Sequence, residues 1–304
     1  MIVNPSASHL RLLFTLRGSI LLEVVPQIAV VVAWAVLVVA LHQWAPEWCP
    51  SFNGAALSLI GIALSVFMGF RNSICYERWW EGRRQFGALL GHTRQFAREV
   101  CLVEDADGSA RKRLVDLTIA FAQSLIPHLR SGIDAHKALA RLSPADREVY
   151  ATSRNPPDAL LRLITLDLVA LRRAGHLGEV AFQTLDRTIG ELSAVQAACE
   201  RLRSTPVPLV YQLLLYRTSY VFLLLLPFGY VDSHAWAAPI VAGLIAYAFF
   251  GLAALAAQLE RPFDAHPNGL PIEALADTIE INLRESLGET NLPPLPEPKN
   301  QLLM

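Results

Sequence analysis

Along the chain, long runs almost free of charge alternate with stretches in which charged and apolar residues recur at helical spacing. Val24 to Trp44, Phe52 to Phe70, Pro208 to Tyr230 and Ala235 to Gln258 are dominated by apolar residues. Each comes near the roughly 20 residues a helix needs to cross the hydrocarbon layer of a membrane. They form two pairs at opposite ends of the chain, the first separated by APEWCPS and the second by VDSH. Between the pairs, RKRLVDLTIAFAQSLIPHLR and ALLRLITLDLVALRRAG set apolar residues three and four apart among Arg and Asp, the pattern of amphipathic helices. EDADGS, RSGID, LSPAD, SRNPPD and RAGHLG interrupt them with the Gly, Pro, Asp and Ser of turns and helix caps. No strand-like alternation stands out. The pattern predicts an all-α membrane protein: an N-terminal segment 1–23, a transmembrane helix pair in 24–70, a helical domain in 71–205, a second transmembrane pair in 206–258 and a C-terminal segment 259–304.

Charge gives this arrangement a direction. Lys and Arg are absent from Val24 through Phe70 and from Thr218 through Glu260, so both short loops inside the pairs lack positive charge while the flanking segments carry it. Cytoplasmic segments carry the excess of Lys and Arg, which puts both termini and the middle domain in the cytoplasm of a multi-pass protein of the plasma (inner) membrane. Trp44, Trp48, Tyr230 and Trp236 fall at the opposite ends of the spans, where aromatic belts are expected. The N-terminus has no compact apolar core followed by a small-residue cleavage site, so no cleaved signal peptide is expected. Composition agrees: 53% of the 304 residues are hydrophobic and 17% charged, more apolar than an ordinary soluble domain. The formal net charge of -1 supplies no basic field for nucleic acid.

Catalytic chemistry finds little support. GxxxxGK[ST], GxSxG, HExxH and GxGxxG are all missing, so phosphate cradles, nucleophile elbows and zincin sites are not indicated, and neither is an ATP-driven pump. Cys49, Cys75, Cys101 and Cys199 form no CxxC pair, and the eight histidines are dispersed without i, i+3 or i, i+4 spacing. The histidines read as surface or capping residues; the chain reads as a non-enzyme without metal or cofactor. Arg217, in PLVYQLLLYRTSYVF, is the one permanent positive charge inside a span. Central burial of it costs roughly 2.5–3.5 kcal/mol on insertion scales. Snorkelling or an acidic partner on another helix would relieve that cost.

The border after the second span is abrupt. GIALSVFMGFRNSICYERWWEGRR passes without a linker from an apolar helix into Arg71, Glu77, Arg78, Glu81, Arg83 and Arg84 with a Trp pair among them. GFRNSICYERWWEGRR resembles the segment that follows the second membrane helix in the bestrophin family of ion channels. Three other stretches resemble that family in the same order: FTLRGSILLEVV, CERLRSTPVPLVYQLLLYRTSYVFLLLLPF and LERPFDAHPNGLPIEALADTIEINL. Together they run from about residue 11 to residue 286.

The resemblance implies a homopentamer in membrane lipid with an axial pore, four membrane helices per subunit and a helical cytoplasmic domain that continues the pore. It implies a pore neck at Ile62, Val66 and Phe70, and a cytoplasmic aperture at Val180. The spacing i, i+4, i+8 agrees with the neck, since it puts those three side chains on one helix face. The small residues Ser58, Gly61, Ser65 and Gly69 beside them suit close packing against a neighbouring helix. Animal members carry a dense acidic calcium-binding run after the fourth helix. Here FDAHPNGLP has Asp264 as its only carboxylate before Glu273, too few oxygens for a clasp of six to eight ligands, so calcium-independent conduction is expected. Bacterial members resembling this chain conduct monovalent cations and animal members anions, which places cations slightly ahead as the permeating ions. The alternative from another class is a membrane-anchored scaffold or sensor whose cytoplasmic helices bind a partner.

Overall fold

A computed structural model describes residues 18–299 and 302–303. In chain order its main helices are α1 (Leu21–Trp44), α2 (Gly54–Glu99), α3 (Ser109–Leu129), α4 (Pro144–Thr152), α5 (Pro156–Arg173), α6 (Glu179–Ser204), α7 (Leu209–Leu225), α8 (Ala238–Glu260) and α9 (Ile272–Ser286). Among the described residues there is no strand, only an isolated bridge between Lys299 and Leu302. The fold is all-α. Two compact units divide the chain: one comprises the described residues up to Trp79 with Pro206–Arg261, the other Trp80–Thr205 and the described residues from Pro262 onward.

The first unit holds the apolar helices. α1, the first part of α2, α7 with the turn that follows it, and α8 are long and apolar enough to cross a membrane. Proline sets several of their ends, because it lacks an amide hydrogen and restricts the residue before it. α1 stops before Pro46, which starts a single 3-10 turn, and α7 begins directly after Pro208 and passes into a 3-10 turn at Pro227. α8 takes Pro239 into its first turn. Within lipid, helices gain little from hydrophobic burial and associate by close packing of small residues. Accordingly Ala35 of α1 and Ala242 and Ala246 of α8 are fully buried, and a Cβ placed on Gly243 would lie 3.0 Å from Val32 Cγ2. Leu57, Leu64, Phe222, Leu223, Phe249 and Phe250 belong to the same core.

α2 has 46 residues, which at about 1.5 Å per residue is roughly 69 Å, more than twice the thickness of a hydrocarbon layer. Its later turns therefore lie outside the membrane. In the first unit it is held by a single seam, Leu57, Leu64, Met68, Arg71 and Cys75, all buried. These positions recur every three, four or seven residues, one stripe of a helix.

The second unit is built around α3, whose residues Leu117 to Ile126 are all buried. Ser143 and Asn155 cap α4 and α5 by accepting the Asp146 and Asp158 N–H groups, each followed by proline in the first turn. Arg113 of α3 joins both helices. Its Nη1 lies 2.8 Å from Asp146 Oδ2 and its Nε 2.7 Å from Asp167 Oδ2. The guanidinium beside Asp146 holds that carboxyl below the usual carboxylate range, whereas burial pushes the Asp167 carboxyl up.

Candidate functional site

Ile62, Val66 and Phe70 lie on one side of α2, turned away from the seam that attaches this helix to its own unit. Their exposures in the single chain are 62%, 52% and 59%. Leu59, Ile60 and Phe67 are exposed as well, so the uncovered apolar surface of α2 is wider than the three positions. Of the small residues beside them, Gly61 takes the Phe222 ring within the chain, where an added Cβ would meet Phe222 Cζ at 3.0 Å. Ser58, Ser65 and Gly69 are exposed. Ser58 and Ser65 donate their hydroxyl hydrogens to the Gly54 and Gly61 carbonyls, each at 2.8 Å, which stabilises these hydroxyls in an apolar helix.

The residue after Phe70 behaves oppositely. Arg71 is 1% exposed, and its Nη2 lies 3.8 Å from Glu260 Oε2 at the end of α8. Glu260 Oε1 accepts the Val207 N–H at 3.0 Å, and the Glu260 carbonyl accepts from Arg78 Nε at 3.2 Å. One acidic residue thus gathers α2, the chain just before α7 and the last turn of α8. Of the Arg cluster visible in the sequence, Arg71 and Arg78 anchor the end of the apolar part of α2; the ion-pair partner of Arg71, 189 positions away, had no signal in the sequence.

Val180 is 79% exposed in the first turn of α6 and belongs to the second unit. The turn that presents it is fixed by Arg172, whose Nη1 lies 3.3 Å from Glu179 Oε2 and whose Cζ sits 4.6 Å over the Phe182 ring. Ile62, Val66 and Phe70 are thus brought to one surface, and Val180 stands on a different unit.

The segment after α8 is organised by a second arginine that sequence reasoning did not single out. Arg130 side-chain nitrogens reach the Phe263 carbonyl at 2.6 Å, the Leu270 carbonyl at 3.1 Å and the Glu273 carboxylate at 2.6 Å. Leu270 N–H closes the turn onto the Pro262 carbonyl at 2.8 Å. A Cβ on Gly269 would strike the Asp264 carbonyl oxygen, which is why glycine stands there. Two of the dispersed histidines pair with carboxylates of α6, His92 with Glu191 at 2.8 Å and His128 with Glu200 at 2.9 Å. Among the described residues no group of three His, Cys, Asp or Glu is placed to hold a metal ion.

Comparison with known proteins places the chain. The family description Bacterial/Fungal Bestrophin protein matches residues 1–285. A voltage-dependent anion channel-forming protein of Mesorhizobium japonicum is 36% identical over 299 residues, 98% of this chain and 96% of that protein. One of Salmonella typhi is 34% identical over 305 residues, 99% of this chain and 100% of that protein. The crystal structure of a bacterial bestrophin homologue from Klebsiella pneumoniae carrying a single substitution superposes with a TM-score of 0.82 at 35% identity, covering 88% of this chain and 100% of that one. With a family match over nearly its whole length and relatives of this similarity, the chain belongs to the bacterial/fungal bestrophin family.

Proposed function

We propose that the chain is one subunit of a passive ion channel, a homopentamer in the inner membrane whose pore neck is lined by Ile62, Val66 and Phe70 and whose cytoplasmic aperture is lined by Val180. The observation that carries the reading is the uncovered apolar stripe of α2 directly beside the buried Arg71. A helix attached to its own unit by one seam, with large apolar side chains on its free side, is suited to a ring of copies in which that side faces an axis. The relatives named as channel-forming proteins support conduction. A narrow apolar ring gates by losing water, since an ion stripped of hydration without replacement ligands is strongly disfavoured.

The neck carries no charge and cannot by itself choose the sign of the ion. Resemblance to bacterial members puts monovalent cations first, whereas the named relatives are described as forming anion channels. The sign is therefore set by charged residues at the mouths of the pore. Calcium independence is part of the proposal: Glu273, the acidic residue after Asp264, is already engaged by Arg130. The distribution of Lys and Arg supports cytoplasmic termini.

Purified protein in planar bilayers under a potassium chloride gradient tests the reading. A measurable current is expected, with a reversal potential displaced toward the potassium equilibrium potential. Displacement toward the chloride potential would correct the ion preference and keep the channel. No current from an assembled complex would leave the scaffold reading in its place.

A further inference from the structure

Arg217 lies eight residues beyond Leu209 in α7, about 12 Å along the axis at 1.5 Å per residue. Its side chain is exposed in the single chain and forms no hydrogen bond or ion pair among the described residues. Leu213, Val221 and Leu224 share its face of the helix and are exposed too. A guanidinium on such a face, inside a span, is strongly disfavoured against lipid and calls for protein or water around it. A lipid phosphate level with Leu209 would stand beyond the reach of the side chain.

The depth of Arg217 follows from contacts of α7 with α2. A Cβ on Gly54 would lie 3.3 Å from the Gly229 carbonyl oxygen, and one on Gly61 3.0 Å from Phe222 Cζ, so the two helices run antiparallel with Gly61 level with Phe222. Moving five residues back from Phe222 reaches Arg217, and moving five on from Gly61 reaches Val66. Arg217 is therefore level with Ser65 and Val66. Five residues also turn a helix by about 140°, so Arg217 points away from the α2 of its own chain, which Phe222 faces. Copies related by an axis along the membrane normal keep every residue at its own level, so Ser65 and Val66 of a neighbour stand level with Arg217. Ser65 is exposed there. Its hydroxyl hydrogen goes to the Gly61 carbonyl, which leaves the oxygen lone pairs free to accept, the complement of a guanidinium that only donates.

We propose that the Arg217 face of α7 docks against α2 of a second copy of this chain, with Arg217 donating to the Ser65 hydroxyl of that copy at the depth of Val66. The contact would brace the proposed neck from behind, between subunits. It rests on the reading of the chain as a ring of copies, and the experiment separates the two.

Two differently tagged chains, Arg217→Cys and Ser65→Cys, each with exposed Cys101 replaced by Ser, are co-expressed and treated in membranes with a short thiol-reactive cross-linker. A cross-linked species carrying both tags is expected, in higher yield than any product of either chain expressed alone. The mass of the purified parent complex is measured in parallel. A multi-subunit mass without the doubly tagged product overturns the Arg217 contact and leaves the ring standing; a monomeric mass overturns both. Where the cysteine chains fail to assemble, Ser65→Asp decides. Its carboxylate should reduce the fraction of complex surviving detergent at least tenfold more in an Arg217→Met chain than in the parent, and an equal reduction in the two overturns the contact.

Discussion

Arg71 and Glu260 face each other inside the protein, Nη2 to Oε2 at 3.8 Å, one residue past Phe70 on α2 and on the last residue of α8. Because Arg71 follows Phe70 directly on a continuous helix, holding its side chain inward fixes how α2 is rotated and which residues it leaves uncovered. Removing one member of a buried ion pair leaves the other charge without compensation, which costs about 3–5 kcal/mol. Glu260→Gln, which keeps an acceptor for the Val207 N–H, is expected to lower stability by about that amount in detergent unfolding. Arg71→Met combined with Glu260→Gln should recover most of the loss. Additive losses in the double variant would show that the two side chains do not act as a pair.

Asp146 gives the second unit a dependence on acid. Its carboxyl is held low chiefly by the hydrogen bond from Arg113, so the stability it contributes is present above the ordinary carboxylate value and disappears as pH falls through the lowered one. Asp146→Asn should therefore be less stable than the parent at pH 7, and the deficit should shrink as pH drops below about 3.9, the ordinary aspartate value. Asp167, raised by burial, works the other way: stability falls as pH rises from the ordinary value through the raised one. Unfolding curves of Asp146→Asn and parent across this range check it. A deficit constant in pH would separate Asp146 from the Arg113 charge.

Arg130 occupies the oxygens that the turn after α8 directs inward, the Phe263 and Leu270 carbonyls and the Glu273 carboxylate. With an internal cation there, bilayer currents are expected to be the same in chelator and in micromolar calcium. Arg130→Met should destabilise the unit by about 2–6 kcal/mol, since it strands the two carbonyls at about 1–3 kcal/mol each. Activation of the parent by micromolar calcium would contradict this account of the turn.

What could be read from the sequence was what repeats along a helix. Val24 to Trp44 differs from α1 by three residues at one end, and Ala235 to Gln258 differs from α8 because Pro239 is accommodated in a first helical turn rather than beyond one. Caps and prolines act on neighbours, so their effect is local and visible. The grouping of Ile62, Val66 and Phe70 on one face is also a property of spacing. The partners of Arg71, Arg113 and Arg130 are not, because each lies in a distant segment and any carboxylate in the chain competes for them until the fold is known. Gly61 shows the same limit: its smallness was visible, but not that Phe222 of the same chain fills the space.

The neck is where the account is most exposed to test. Single-channel recordings of Ile62→Ala, Val66→Ala, Phe70→Ala and the triple variant, beside the parent in the same bilayer, measure whether these side chains obstruct the ion. Truncation widens an apolar ring and keeps water in it, so open probability or conductance should rise, most in the triple variant, with the reversal potential little changed because no charge is altered. A triple variant that assembles to the parent's mass and passes the parent's current would contradict the neck assignment.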